Sequence, residues 1–123
     1  MTKVLDASAV LAVLHKEPGA EVVEKEFPTA RCSAATWSEI LQKAEQGGID
    51  PKLVILFLKQ AGLAIEVVTE SDAEVAAAIW RQARHLSLAD RCCLALAKRL
   101  GVPSVTSDRN WPAVDGIAIE FIR

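Results

Sequence analysis

The chain has 123 residues, 51% of them apolar and 24% charged, with 14 Lys and Arg against 16 Asp and Glu for a formal charge of −2. That length bounds it to one domain over residues 1–123 with one core, large enough to fold without disulfides or structural metals. The composition excludes a disordered chain, and the slight acidity excludes a domain that grips nucleic acid by bulk positive charge. The longest apolar run, Leu53 to Leu58, is far short of the roughly 20 residues a membrane span needs. No secretory signal is expected at the N-terminus. Three cysteines, Cys32, Cys92 and Cys93, with no metal-ligand spacing, read as buried small hydrophobes in a reducing cytoplasm.

In chain order, Lys3-Val4-Leu5 reads as a short buried strand ending at Asp6. Helices follow over Ala7–His15 and Gly19–Phe27, broken by Glu17-Pro18-Gly19. A strand is expected at Ala30–Ala34, a helix from Thr36 to Gln46 closed by Gly47-Gly48, and a helix opened by Pro51 at its favoured first position. Ala64 to Val68 is rich in β-branched residues and reads as a strand. Ser71-x-x-Glu74 has the capping-box pattern and predicts a helix to about Leu86. Ser87 starts the next helix, which ends at Gly101. Pro103–Thr106 and Ile117–Ile122 are the last strands, with a turn at Asp108–Trp111. Strands alternating with helices predict an α/β fold, a three-layer α/β/α sandwich with a central, mostly parallel sheet.

In such sheets the reactive crevice lies beyond the carboxyl ends of the strands. Four acids fall there. Asp6 ends the first strand, Glu39 is expected in the first turn of the Thr36 helix, Asp90 in the first turn of the Ser87 helix, and Asp108 follows Val105-Thr106. Each has an ordinary structural role open to it: a helix cap for Asp6, dipole complements for Glu39 and Asp90, an Asx-turn for Asp108. Together they point elsewhere, because gathered carboxylates repel unless a cation sits among them. An all-oxygen ligand set suits Mg²⁺ or Mn²⁺ rather than zinc, and the chemistry it best supports is phosphodiester hydrolysis.

The segments Val4-Leu5-Asp6-Ala7-Ser8-Ala9, Ser38-Glu39-Ile40, Leu86-Ser87-Leu88-Ala89-Asp90, Leu94-Ala95-Leu96-Ala97 and Thr106-Ser107-Asp108-Arg109 together resemble the PIN domain, and within it the VapC-type ribonuclease toxins of toxin–antitoxin modules. The likeness runs along nearly the whole chain with its motifs in family order. It implies a PIN-like fold and a Mg²⁺- or Mn²⁺-dependent endoribonuclease toxin of a type II system, often a homodimer, inhibited by a small antitoxin protein. It places Asp6 and Asp90 as the principal metal-binding acids, Glu39 and Asp108 as the second and fourth acids, and Ser8 and Thr106 as supporting hydroxyls. Ser38 departs from the pattern where Asn is common, and Arg91 where a small residue is frequent.

Arg109 and Arg91 directly follow two of these acids, where a guanidinium would either grip a substrate phosphate or neutralise the cluster. Trp37, Trp80 and Trp111 suit core or interface positions better than base stacking. The helix from Lys52 to Gly62 is apolar almost all round, more than one side of a small domain can bury, which predicts a homodimer or antitoxin surface. Two other functions compete. A haloacid-dehalogenase-like phosphatase also begins with Asp at the end of strand one but needs a second Asp two residues on, where this chain has Ser8. A non-catalytic binding module on the same fold would not need all four acids.

Overall fold

The structure, a computed structural model, describes residues 2–123. Its sheet is built from β1 (Val4–Leu5), β2 (Arg31–Ser33), β3 (Ala64–Glu66), β4 (Ser104–Thr106) and β5 (Ile119–Phe121). The order is β3-β2-β1-β4-β5 and every pairing is parallel. Helices α1 (Ala7–Leu14), α2 (Ala20–Glu26), α3 (Ala34–Gln46), α4 (Pro51–Gln60), α5 (Glu70–Ile79) and α6 (Leu88–Leu100) cover it, giving the expected three-layer α/β/α arrangement.

The two-residue strand β1 shows why both faces must be covered. Successive side chains of a strand point to opposite faces. Leu5 enters an apolar cluster with Val10, Val23, Phe27, Ile40 and Leu58, from the side of α1 to α4. Val4 enters a second cluster with Ile79, Cys93, Leu96 and Trp111, from the side of α5 and α6. Both residues are completely buried. A parallel sheet sandwiched in this way reads as short continuous apolar runs, which is why the strands were recognisable in the sequence. Cys32, Cys92 and Cys93 are buried thiols within this packing, as expected.

β3 stops at Glu66 rather than Val68 and β5 starts at Ile119 rather than Ile117, and three further boundaries differ for reasons visible in the hydrogen bonding. Helix α3 starts at Ala34, two residues early, because Ser33 is its N-cap and its hydroxyl accepts from the Ala35 N–H at 3.2 Å. Glu39 therefore lies in the second turn, where the helix dipole does little for it. The capping box of α5 is Thr69 with Asp72, not Ser71 with Glu74: the Thr69 hydroxyl accepts from Asp72 N–H and the Asp72 carboxylate from Thr69 N–H. Finally, α5 stops at Ile79 rather than near Leu86. From Trp80 to Leu86 the N–H groups of residues 80–83 and 86 reach carbonyls three residues back, tightening the chain into successive turns.

Candidate active site

Asp6 is the residue most fully committed by the fold. It leaves β1 in extended conformation and caps α1, accepting from the Ala9 N–H at 2.8 Å. Thr106, the last residue of the neighbouring strand β4, donates its hydroxyl to Asp6 Oδ2 at 2.5 Å. The Ser8 hydroxyl lies 2.8 Å from both carboxylate oxygens and accepts from the Ser107 N–H at 3.0 Å. Ser8 and Thr106 thus hold the carboxylate from two sides. Asp6 is only 2% exposed. Burial pushes its pKa up to about 7, more than the bonds from Thr106, Ala9 and Ser8 pull it down, and the charge of Asp90 adds to the rise.

Asp90 sits in the first turn of α6, where the Ser87 hydroxyl caps the helix by accepting from the Asp90 N–H at 3.1 Å. Its pKa is also raised, first by desolvation and then by the negative charge of Glu39, while Ser87 and Lys43 oppose the rise. Glu39 pairs with Lys43 one turn along α3, at 2.9 Å. That bond lifts the Lys43 ammonium above its ordinary value, as do the more distant charges of Asp90 and Asp6. Asp6, Asp90 and Glu39 therefore form one electrostatically coupled set, contributed by β1, α6 and α3.

An open cleft of about 570 Å³ lies over Glu39 and Asp90, with Ser38, Gln42, Lys43, His85 and Ser87 also among its walls. Asp6 lies outside the lining residues and reaches the cleft electrostatically through Asp90. The fourth acid is placed differently. Asp108 donates its N–H to the Thr106 hydroxyl, which ties it to the Asp6 network through the backbone. Its carboxylate, however, accepts from the Asn110 N–H at 2.9 Å in an Asx-turn. The two arginines are engaged away from the cleft. Arg91 donates to the Ala76 carbonyl of α5, and Arg109 donates to the Arg123 carbonyl with its guanidinium 4.9 Å from the centre of the Phe121 ring.

Lys43 and His85 belong to the cleft and were not singled out as site residues from sequence. Lys43 had a signal: it lies four residues after Glu39, the spacing of a helical ion pair. His85 had none, because its approach to the Asn110 carbonyl, at 2.8 Å, joins segments far apart in the chain.

Among the described residues no three His, Cys, Asp or Glu side chains converge closely enough to hold a metal ion in this arrangement. Glu39 is drawn onto Lys43 and Asp108 onto Asn110. The donor chemistry nevertheless fits a hard divalent cation. All the acids offer oxygen, and a bound cation would offset both the burial that mainly raises Asp6 and Asp90 and the smaller like-charge repulsion among the acids. The Thr106→Val variant isolates the support of Asp6. Removing the hydroxyl strips a donor from a buried carboxylate and leaves the Asp108 N–H without its acceptor. The expected cost is about 1–3 kcal/mol in urea unfolding, with the Asp6 titration displaced to higher pH in carbon-13 NMR. An unchanged unfolding midpoint would contradict this role.

A family model described as the PIN domain matches residues 3–117. A VapC ribonuclease of Mycobacterium bovis and ribonuclease VapC42 of Mycobacterium tuberculosis are each 31% identical to this chain over 113 residues, covering 81% of it and 86% of the relative. Among solved structures, a toxin–antitoxin complex from Klebsiella pneumoniae superposes with a TM-score of 0.77 at 19% identity, covering 94% of both chains. A DNA-bound VapBC from Salmonella typhimurium gives 0.74 at 19% identity, covering 100% of this chain and 99% of that one. The sarcin–ricin-loop-cleaving toxin VapC20 of Mycobacterium tuberculosis gives 0.67 at 14% identity, covering 88% and 91%.

Proposed function

The chain belongs to the PIN domain family, and from that premise we propose that it is a VapC-type toxin: a Mg²⁺- or Mn²⁺-dependent endoribonuclease, in one PIN-like domain, restrained in the cytoplasm by a cognate antitoxin protein. The observation that carries this reading is the placement of Glu39 and Asp90 on the walls of an open cleft, with the buried Asp6 carboxylate coupled to Asp90 at the carboxyl end of the central parallel strand. The relatives at 31% identity bear the name ribonuclease, which agrees with that chemistry.

In this reading Asp6, Asp90 and Glu39 hold the cation, with Asp108 as a fourth acid once its carboxylate leaves Asn110. A divalent ion bound there supplies activation of a water and stabilisation of the leaving oxygen in phosphodiester hydrolysis. The protein's own groups prepare the place. Ser8 and Thr106 fix the rotation of the Asp6 carboxylate, and Ser87 orients Asp90 at the start of α6. Burial keeps bulk water from Asp6, so its charge is strongly felt by a cation and weakly screened. In this reading RNA enters along the open cleft lined by Glu39 and Asp90. Purified protein with Mn²⁺ should cut total RNA, and the Asp6→Asn and Asp90→Asn variants should not. Equal cutting by those variants would refute the reading.

Helix α4 supports a protein partner. Val54 and Leu58 are buried, whereas Leu53 is 62%, Leu56 55% and Phe57 42% exposed on the same short helix. Contiguous exposed apolar side chains of this kind mark an interaction surface. In the proposed assembly this face joins two copies of the chain or seats the antitoxin. Sedimentation of the isolated protein should give a dimer that Leu56→Glu converts to a monomer. A wild-type monomer at micromolar concentration would exclude the homodimer.

A further inference from the structure

Lys43 stands at the wall of the cleft with its stem on α3 and its ammonium 2.9 Å from Glu39. Its side chain is about half exposed, whereas Glu39 is 19% exposed. The basic neighbours that follow the acids in sequence, Arg91 and Arg109, are held by the Ala76 and Arg123 carbonyls and do not line the cleft. A lysine ammonium is a compact charge on a flexible four-carbon stem, and one that is half exposed can swing into water at small cost. Glu39 has no such freedom, being partly buried against the cleft. We propose that Lys43 is a tethered counter-ion that takes the place of the divalent cation: its ammonium neutralises the acid cluster while the site is empty of metal and must withdraw from Glu39 when a metal ion binds.

This rests on the metal-dependent reading above and adds a competitor built into the chain. The 2.9 Å contact with Glu39 places the ammonium at the cleft wall that Asp90 also lines. A positive charge held at the cluster opposes a second, double charge arriving there. Removing it should tighten metal binding, the reverse of what loss of a ligand or of a helix-stabilising pair would do.

Calorimetric titration of the full chain with MnCl₂, without RNA, tests this directly. Lys43→Met keeps the apolar stem and removes the charge, and its affinity for Mn²⁺ should rise about tenfold, the size expected for one charge acting on a divalent ion at some 7 Å through water. Lys43→Arg keeps the charge and should stay within about twofold of wild type. Circular dichroism verifies that each variant is folded, which the exposed position on α3 favours. Mn²⁺ binding by wild type that Lys43→Met leaves equal or weakens overturns the counter-ion role and leaves the metal site standing. Absence of Mn²⁺ binding by every protein overturns the metal reading and the counter-ion role with it.

Discussion

Asp6→Asn is expected to make the metal-free protein more stable at pH 8 while removing its ability to cut RNA. The stability effect follows from the Asp6 pKa of about 7, against about 4 in an unfolded chain. Because the folded state holds the proton more tightly, protonation of Asp6 stabilises the fold fully below about pH 4. That contribution is lost as the pH rises to 7, and above it the chain carries a buried carboxylate at full cost. The raised pKa of Asp90 acts in the same direction. Asn keeps one oxygen to accept from the Ala9 N–H and removes the charge, so the gain at pH 8 should be on the order of 2 kcal/mol, less than the whole shift because the hydroxyls of Ser8 and Thr106 must reorient. Urea unfolding between pH 4 and 8 measures it. Wild type should lose stability with rising pH and Asp6→Asn should lose less. Mn²⁺ should restore wild type alone. Identical pH profiles for the two proteins would show that Asp6 is not the strained group.

Phe27→Ala tests the fold away from the site, with a larger expected loss. Phe27 is 1% exposed in the short 3-10 turn Phe27–Thr29 that joins α2 to β2. It lies between Leu5 and Val10 on one side and α4 on the other, with its ring edge-on to Phe57 at 6.4 Å. Truncation removes the largest fully buried side chain among the described residues and leaves a cavity in the cluster that holds Leu5 of β1, next to Asp6. About 3–5 kcal/mol is expected, a large share of the 5–15 kcal/mol that holds a typical domain together. Chemical unfolding should reveal it, while cleavage per folded molecule stays near wild type because Phe27 belongs to the apolar cluster and does not line the cleft. A loss under about 1 kcal/mol would mean that the α1–α4 layer can collapse around the gap.

What could be read from the sequence was what short-range chemistry fixes. The Leu5-to-Asp6 transition from apolar strand to helix cap, and Ser87 three residues before Asp90, involve neighbours in the chain, and both are found as expected. The α5 boundary was not legible. Ile79, Ala83 and Leu86 have helical spacing and all three are buried in one cluster, but they reach it through a series of tight turns. Gln82 there exchanges two hydrogen bonds with Asp115, a partner 33 residues away. Thr69 was overlooked as a cap because Ser71 offered the same pattern two residues later. The roles of Arg91 and Arg109 were equally out of reach, since their acceptors Ala76 and Arg123 are brought near only by tertiary packing. Lys43 sat in plain view as a helix-surface charge.

The net charge of −2 takes on a different meaning once the acids are located. Asp90 is coupled to Asp6 on one side and to Glu39 at the cleft wall on the other, so part of the acidity is gathered where a divalent ion would largely neutralise it, and RNA affinity should depend on that ion. The most direct test is cleavage of total RNA by wild type and Asp6→Asn prepared side by side, each with Mn²⁺ and with chelator. Cutting by wild type with Mn²⁺ and by none of the other three samples is the expected result. Cutting by wild type in chelator, or by Asp6→Asn at the wild-type rate, would contradict a metal-dependent ribonuclease site built on Asp6.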